Sequence, residues 1–150
     1  MENINKKVFI TGGTGYIGSR LIPLLINSGF EVSALLRKGS EKKLPNGCKA
    51  VVGNAFDSGT FIESVKGCDT FIQLLGVSHP GPGKGAEFRS IDLVSVTESV
   101  LAAKTCSVKH FIYLSVAEPA PVMKDYIEVR KQGEEMIRNS GMNSAFIKPW

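Results

Sequence analysis

The stretch Val8-Phe9-Ile10-Thr11-Gly12-Gly13-Thr14-Gly15-Tyr16-Ile17-Gly18 decides the fold. Its first three residues are apolar and β-branched or aromatic, which reads as a strand. The glycine cluster then opens an apolar helix predicted over Tyr16–Asn27, stopped at Ser28-Gly29 and with Pro23 expected to kink it. Gly13, Gly15 and Gly18 satisfy the spacing GxGxxG, whereas Gly12, Gly15 and Gly18 satisfy the related GxxGxxG. Either pattern alone is weak, because glycine is frequent here. Lying between a strand and a helix, the glycines acquire distinct tasks. One makes the tight turn, one lets the backbone approach a pyrophosphate, and Gly18 lets the helix pack closely on its strand. The exposed amides and the dipole at the helix start favour an anion. Thr11–Gly18 is therefore predicted to hold a dinucleotide, with Thr11, Gly12, Gly13, Thr14, Gly15, Tyr16, Ile17 and Gly18 as its candidate residues.

The end of the next strand bears on which dinucleotide. That strand is predicted over Glu31–Leu36. An acid roughly 20 residues past the glycines would bind the ribose hydroxyls of NAD. Arg37 stands there instead, followed by Lys38. A carboxylate repels a 2′-phosphate, while a guanidinium grips one with two parallel hydrogen bonds. The sequence thus predicts NADP rather than NAD; a solvated loop cation is the plainer reading of Arg37.

Apolar strands and amphipathic helices alternate along the rest of the chain. Strands are expected at Lys49–Val52, Thr70–Leu75, Lys109–Ser115 and Ala145–Ile147, and helices at Ser58–Lys66, Ala86–Cys106 and Lys124–Asn139. Parallel pairing follows, since strands separated by helices must cross over a sheet face. The expected fold is α/β, a doubly wound parallel sheet of the Rossmann type with about six strands. Lys148-Pro149-Trp150 follows the last strand directly, which reads as a domain cut short after its sixth strand.

Composition narrows the function classes. The 150 residues are 43% hydrophobic and 21% charged, too apolar for a disordered chain. The net charge is +4, but the cations scatter along the chain rather than gathering on one strip, which argues against nucleic acid. Cys48, Cys68 and Cys106 are widely spaced with no CxxC pair, so neither a disulfide framework nor a metal site is expected. No apolar run reaches the ~18–20 residues a membrane span needs. A cytoplasmic protein with a small-molecule substrate is expected, and its two long helices offer faces for a homodimer.

These residues resemble the short-chain dehydrogenase/reductase superfamily in its atypical or extended branch, which includes epimerase- and dehydratase-like proteins. The resemblance runs from Lys7 to Trp150. It rests on TGGTGYIG (11–18), GNAFD (53–57), DTFIQLLG (69–76), HFIYLSV (110–116), the helix containing Tyr126 and FIKP (146–149). It implies an adenine contact at Asn54, where relatives often carry Asp. It also implies a nicotinamide-side ribose along Leu74, Leu75 and Gly76, and a ring contact at Pro149. The side chains of Leu74 and Leu75 read equally well as core.

Catalysis in the family uses Ser or Thr, Tyr, and a Lys four residues after the Tyr. A phenol, with a pKa of about 10 in isolation, must be tuned down to exchange protons at neutral pH, and a nearby cation does so. Here Tyr126 occupies the tyrosine position, Arg130 replaces the lysine, and Ser115 is the serine candidate, with Val116 where relatives have a second hydroxyl. Lys131 lies about 100° away around the helix from the face Tyr126 shares with Arg130. Arg130 supplies charge but stays protonated and relays no proton. Tyr126 is accordingly a candidate acid–base group or an aromatic packed on the cofactor or the core. His79 and Lys84, in the loop after the fourth strand, are candidate substrate contacts or an alternative acid–base pair, a solvated surface loop being the plainer reading, and Glu118–Pro121 is expected to border the same pocket. Two functions remain in view: an NADP-dependent oxidoreductase or epimerase/dehydratase-like enzyme, and a module that senses the dinucleotide without turning it over.

Overall fold

The computed structural model describes residues 6–76, 83–116 and 124–149. Six strands form one parallel sheet: β1 (Lys7–Thr11), β2 (Glu31–Leu36), β3 (Lys49–Val52), β4 (Thr70–Gln73), β5 (His110–Leu114) and β6 (Asn143–Ile147). Their spatial order is β3-β2-β1-β4-β5-β6, the doubly wound arrangement expected from the sequence. The direction of winding reverses between β1 and β4, and the loops leaving their carboxyl ends diverge there to open a crevice.

Both faces of the central strands are buried, which is why these strands are nearly all apolar. On one face, register places Phe9 opposite Phe71 and Phe71 opposite Phe111. The three rings contact one another in sequence at 5.2 Å, and Phe61 extends the row at 5.8 Å from Phe9. The covering helices are α2 (Ile62–Val65), α4 (Val94–Thr105) and α5 (Lys124–Asn139). On the other face, Val8, Ile10, Val32, Ala34 and Ile72 pack with Ile22 of α1 (Tyr16–Asn27).

Three expectations need correction. The helix expected at Ser58–Lys66 is a 3-10 turn (Ser58–Thr60) followed by α2, because Asp57 caps the Gly59 amide and tightens the first turn. Strand β4 stops at Gln73 rather than Leu75, leaving Leu74 and Leu75 in the loop. The segment expected as one regular helix over Ala86–Cys106 is α3 (Gly85–Glu87), then a π-helical turn (Phe88–Leu93), then α4. A π turn shifts the helix face relative to a 3.6-residue repeat. Small side chains consequently face inward along α4 at Ser95, Ser99, Ala102 and Ala103, while Val94 and Leu101 face out.

Candidate functional site

The glycine turn is held by backbone against backbone. Gly12 has φ +74°, and a Cβ there would stand 2.7 Å from the Leu75 amide nitrogen. A Cβ on Gly18 would stand 2.5 Å from the Gly12 carbonyl oxygen. Gly15 differs: its Cβ would meet only that carbonyl, at 3.3 Å, so the side facing the crevice is open. Of the two spacings, GxxGxxG through Gly12, Gly15 and Gly18 thus describes the steric demands. Gly13 is tight as well, 3.0 Å from the Ala34 Cβ, but packs inward rather than forming the crevice wall.

Helix α1 begins with Gly15 as its N-cap, with no side-chain cap and no acid in its first turn. The first amides of a helix have no intrahelical partner. Those of Tyr16, Ile17 and Gly18 lie just beyond Gly15, while Gly12, Thr14 and Gly15 line the crevice itself; a helix start without a side-chain cap suits an anion in charge and in hydrogen bonding. Thr11 belongs to a different set of contacts. Its buried hydroxyl donates to Gln73 Oε1, which also accepts from Ser99 at 2.9 Å. The Gln73 amide donates to Ser95 at 3.0 Å, and Ser95 donates to the Asp92 carbonyl at 3.1 Å. Thr11 thus holds the turn from below.

The crevice is a cleft of about 430 Å³ running from Gly12, Thr14 and Gly15 along the ends of β2 and β4. At one end stand Arg37, Ser40 and Lys43, and no carboxylate lines the cleft among the described residues. Lys43 reaches it because the 3-10 turn Glu41–Lys43 folds the chain back after β2. Asn54 and Phe56 line the adjoining wall, with Asn54 Oδ1 accepting the Phe56 amide at 2.9 Å, which fixes the orientation of the side-chain amide. Leu74, Leu75, Gly76 and Ile91 line the other end.

The three catalytic candidates fare differently. Tyr126 is half-buried on α5, its ring 5.0 Å from that of Phe88. Arg130 lies one turn on, its guanidinium carbon 5.1 Å from the centre of the Tyr126 ring, so the two share a face as the spacing predicts. That guanidinium is committed inward: Nη2 pairs with Asp92 Oδ1 at 2.9 Å and Nη1 donates to the Leu114 carbonyl at 2.7 Å. Burial pulls the Arg130 pKa down, but the adjoining Tyr113, Tyr126 and Asp92 more than offset it and hold the guanidinium above its ordinary value. Burial likewise pushes Tyr113 up to about 12, against the pull of Arg130, so it is neutral at physiological pH.

Ser115 is also spoken for. Its hydroxyl donates to Glu134 Oε1 at 2.5 Å, and Glu134, itself buried, also holds Arg138 and Lys148. Burial raises the Glu134 pKa, but the bonds from Ser115, Lys148 and Arg138 outweigh it and hold the carboxyl below its usual range. Pro149 is exposed beyond β6. His79, Glu118–Pro121 and Trp150 lie outside the described residues.

A family model described as NAD(P)H-binding matches residues 12–150. The chain belongs to this NAD(P)H-binding family. Its resemblance to the extended short-chain dehydrogenase/reductase superfamily agrees with that membership. An uncharacterized sugar epimerase, YhfK, from Bacillus subtilis (strain 168) is 28% identical over 154 residues, covering 95% of this chain and 71% of the relative. A 4-hydroxy-2-methyl-3-oxo-4-farnesyl-3,4-dihydroquinoline-1-oxide ketoreductase from Stigmatella aurantiaca is 25% identical over 165 residues, 95% of this chain and 49% of the relative. The crystal structure of WbmH from Bordetella bronchiseptica in complex with NAD+ shares the fold at a TM-score of 0.78 and 22% identity, covering 95% of this chain and 55% of that one. The chain spans about half the length of the ketoreductase and of WbmH.

As an NAD(P)H-binding domain, the chain gathers much of its candidate site in one place. Gly12, Thr14, Gly15, Arg37, Asn54, Leu74, Leu75 and Gly76 share the cleft. Ser40, Lys43, Phe56 and Ile91 join them without having been singled out in the sequence. Lys43 carried a weak signal as one of several scattered cations. Among the described residues no helix is long and apolar enough to cross a membrane, and no cluster of metal-ligating side chains occurs.

Proposed function

We propose that this chain binds NADP and forms the cofactor-binding part of an oxidoreductase or epimerase/dehydratase-like enzyme acting on a small molecule. The carrying observation is the grouping of Arg37, Ser40 and Lys43 along a cleft that no carboxylate lines among the described residues. Two cations and a hydroxyl suit the dianionic 2′-phosphate, whereas the ribose diol of NAD would ask for an acid. The first-turn amides of α1 take the diphosphate, Asn54 and Phe56 the adenine, and Leu74–Gly76 the nicotinamide-side ribose. When bound, the nicotinamide ring gives or accepts a hydride. Tyr126 is the acid–base group of this reading: its phenol Oη holds the proton exchanged with the substrate oxygen. Arg130 orients the Tyr126 ring from below, and Ser115 braces β5 through Glu134.

The test is a pair of titrations with NADPH and NADH on the 150-residue chain. Arg37→Ala should cost about 1.5–3 kcal/mol with NADPH, the worth of a charge-assisted hydrogen bond, and leave NADH within about twofold. Equal losses would remove Arg37 from the 2′-phosphate. In a longer form of the chain that turns substrate over, Tyr126→Phe should abolish hydride transfer while NADPH still binds.

The sensing module keeps one observation in its favour. Two of the three catalytic candidates are tied to internal partners, Ser115 through its hydroxyl and Arg130 through Nη1 and Nη2. Substrate-dependent oxidation of NADPH by a longer form would discard it.

A further inference from the structure

Beside Gly76 lies a buried ion pair whose acidic member, Asp92, the dinucleotide reading leaves without a task. Arg130 Nη2 and Asp92 Oδ1 are 2.9 Å apart, with side chains only 4% and 0% exposed. A Cβ on Gly76 would collide with Arg130 Nη2 and stand 2.5 Å from Asp92 Oδ1. Gly76 itself lines the cleft, so the pair lies against the side-chain position of a cleft residue that has no side chain. Among the described residues, the guanidinium also meets the Leu114 carbonyl and the aromatic rings of Tyr113 and Tyr126. Asp92 supplies the balancing negative charge, and Ser95 holds its backbone at the end of the π turn.

The two redox forms of a nicotinamide differ by one unit of charge on the ring: oxidised it is a cation, reduced it is neutral. At an effective dielectric constant of about 20 and a separation of about 6 Å, one uncompensated charge changes a binding constant by about a hundredfold. A bare guanidinium under Gly76 would therefore repel the oxidised ring and leave the reduced ring untouched. We propose that Asp92 determines specificity for the redox form of the cofactor: by neutralising Arg130 beneath Gly76, it lets one cleft hold the oxidised nucleotide as well as the reduced one. This rests on the reading that places the nicotinamide end at Leu74–Gly76.

The experiment titrates the 150-residue chain with NADP+ and with NADPH at low ionic strength, and the readout is the ratio of the two dissociation constants. The wild type should show a ratio within about threefold of one, since a neutral pair discriminates little. Asp92→Asn keeps the shape and strips the balancing charge, so the ratio should move at least about tenfold toward NADPH. Adding Arg130→Met to that variant removes the remaining charge and should return the ratio to the wild-type value. Parallel weakening of both forms in Asp92→Asn would mean a purely structural role and overturn the proposal. A wild-type preference for NADPH of tenfold or more would overturn it too, and that measurement stands even where the single variant does not fold. If the wild type bound neither nucleotide, the cofactor reading would fall first. Binding of both with an unmoved ratio in Asp92→Asn would sink this inference alone.

Discussion

The two ends of the cleft use charge in opposite ways. Around Arg37, Ser40 and Lys43 the cations line the opening and face no acid across it. Under Gly76 the cation is sealed away, its nitrogens bonded to Asp92 and to a backbone carbonyl. Cations at the first end contribute little to folding, because exposed charges gain little from one another in water, and in the proposed reading they serve the ligand. The charges at the second end are part of the fold, and any effect they have on a ligand acts across the backbone of Gly76. One cleft thus separates recognition from support, and mutations at its two ends should register in different measurements.

The largest expected effect on nucleotide binding lies between the two ends, in the turn both depend on. Gly18→Ala forces a methyl against the Gly12 carbonyl. Overpacking of this kind costs about 1–3 kcal/mol, and moving the turn should weaken NADPH by up to about a hundredfold in a fluorescence titration. Unchanged binding would mean the turn is not the diphosphate site. Next comes Arg130→Ala, which takes the paired guanidinium away from the buried Asp92 carboxylate. Breaking a buried pair costs about 3–5 kcal/mol, and a domain of this size loses about 2–4 °C per kcal/mol. A fall in Tm on the order of 10 °C is expected, whereas Arg37→Ala should leave Tm nearly unmoved; similar shifts for both would erase the contrast.

The smallest effect concerns Glu134, whose carboxyl is held below its usual range in the folded chain. A lowered folded pKa contributes stability that is fully present above the unfolded value and is lost as pH falls through the folded one. Glu134→Gln should therefore flatten the acid limb of a stability–pH profile below the ordinary carboxylate range and change little near neutrality beyond a constant offset. An acid limb identical to that of the wild type would show that Glu134 titrates as it does in the unfolded chain.

Much of the fold was legible because it depends on local pattern. Strand β2, helix α1 and helix α5 fall where periodicity and punctuation put them, and the glycines announce the crevice. Arg37 was legible too, since its position is counted from those glycines. Lys43 and Ser40 were not, because only the fold-back of the Glu41–Lys43 turn brings them to the cleft. Asp92 was hidden for a different reason. It lies 38 residues from Arg130, inside a π turn that breaks the regular repeat on which face assignment relies. The same shift turned Val94 and Leu101 outward against their hydrophobicity. Ser115 and Glu134 likewise meet only when β5 and α5 are assembled.

Gln73 joins the halves of this picture. A single amide in the middle of the sheet ties Thr11, just ahead of the glycines, to the helix that follows Asp92. The base of the glycine turn and the inner side of that helix are thus pinned to the same strand residue, so a Gln73→Leu change would cut both moorings at once.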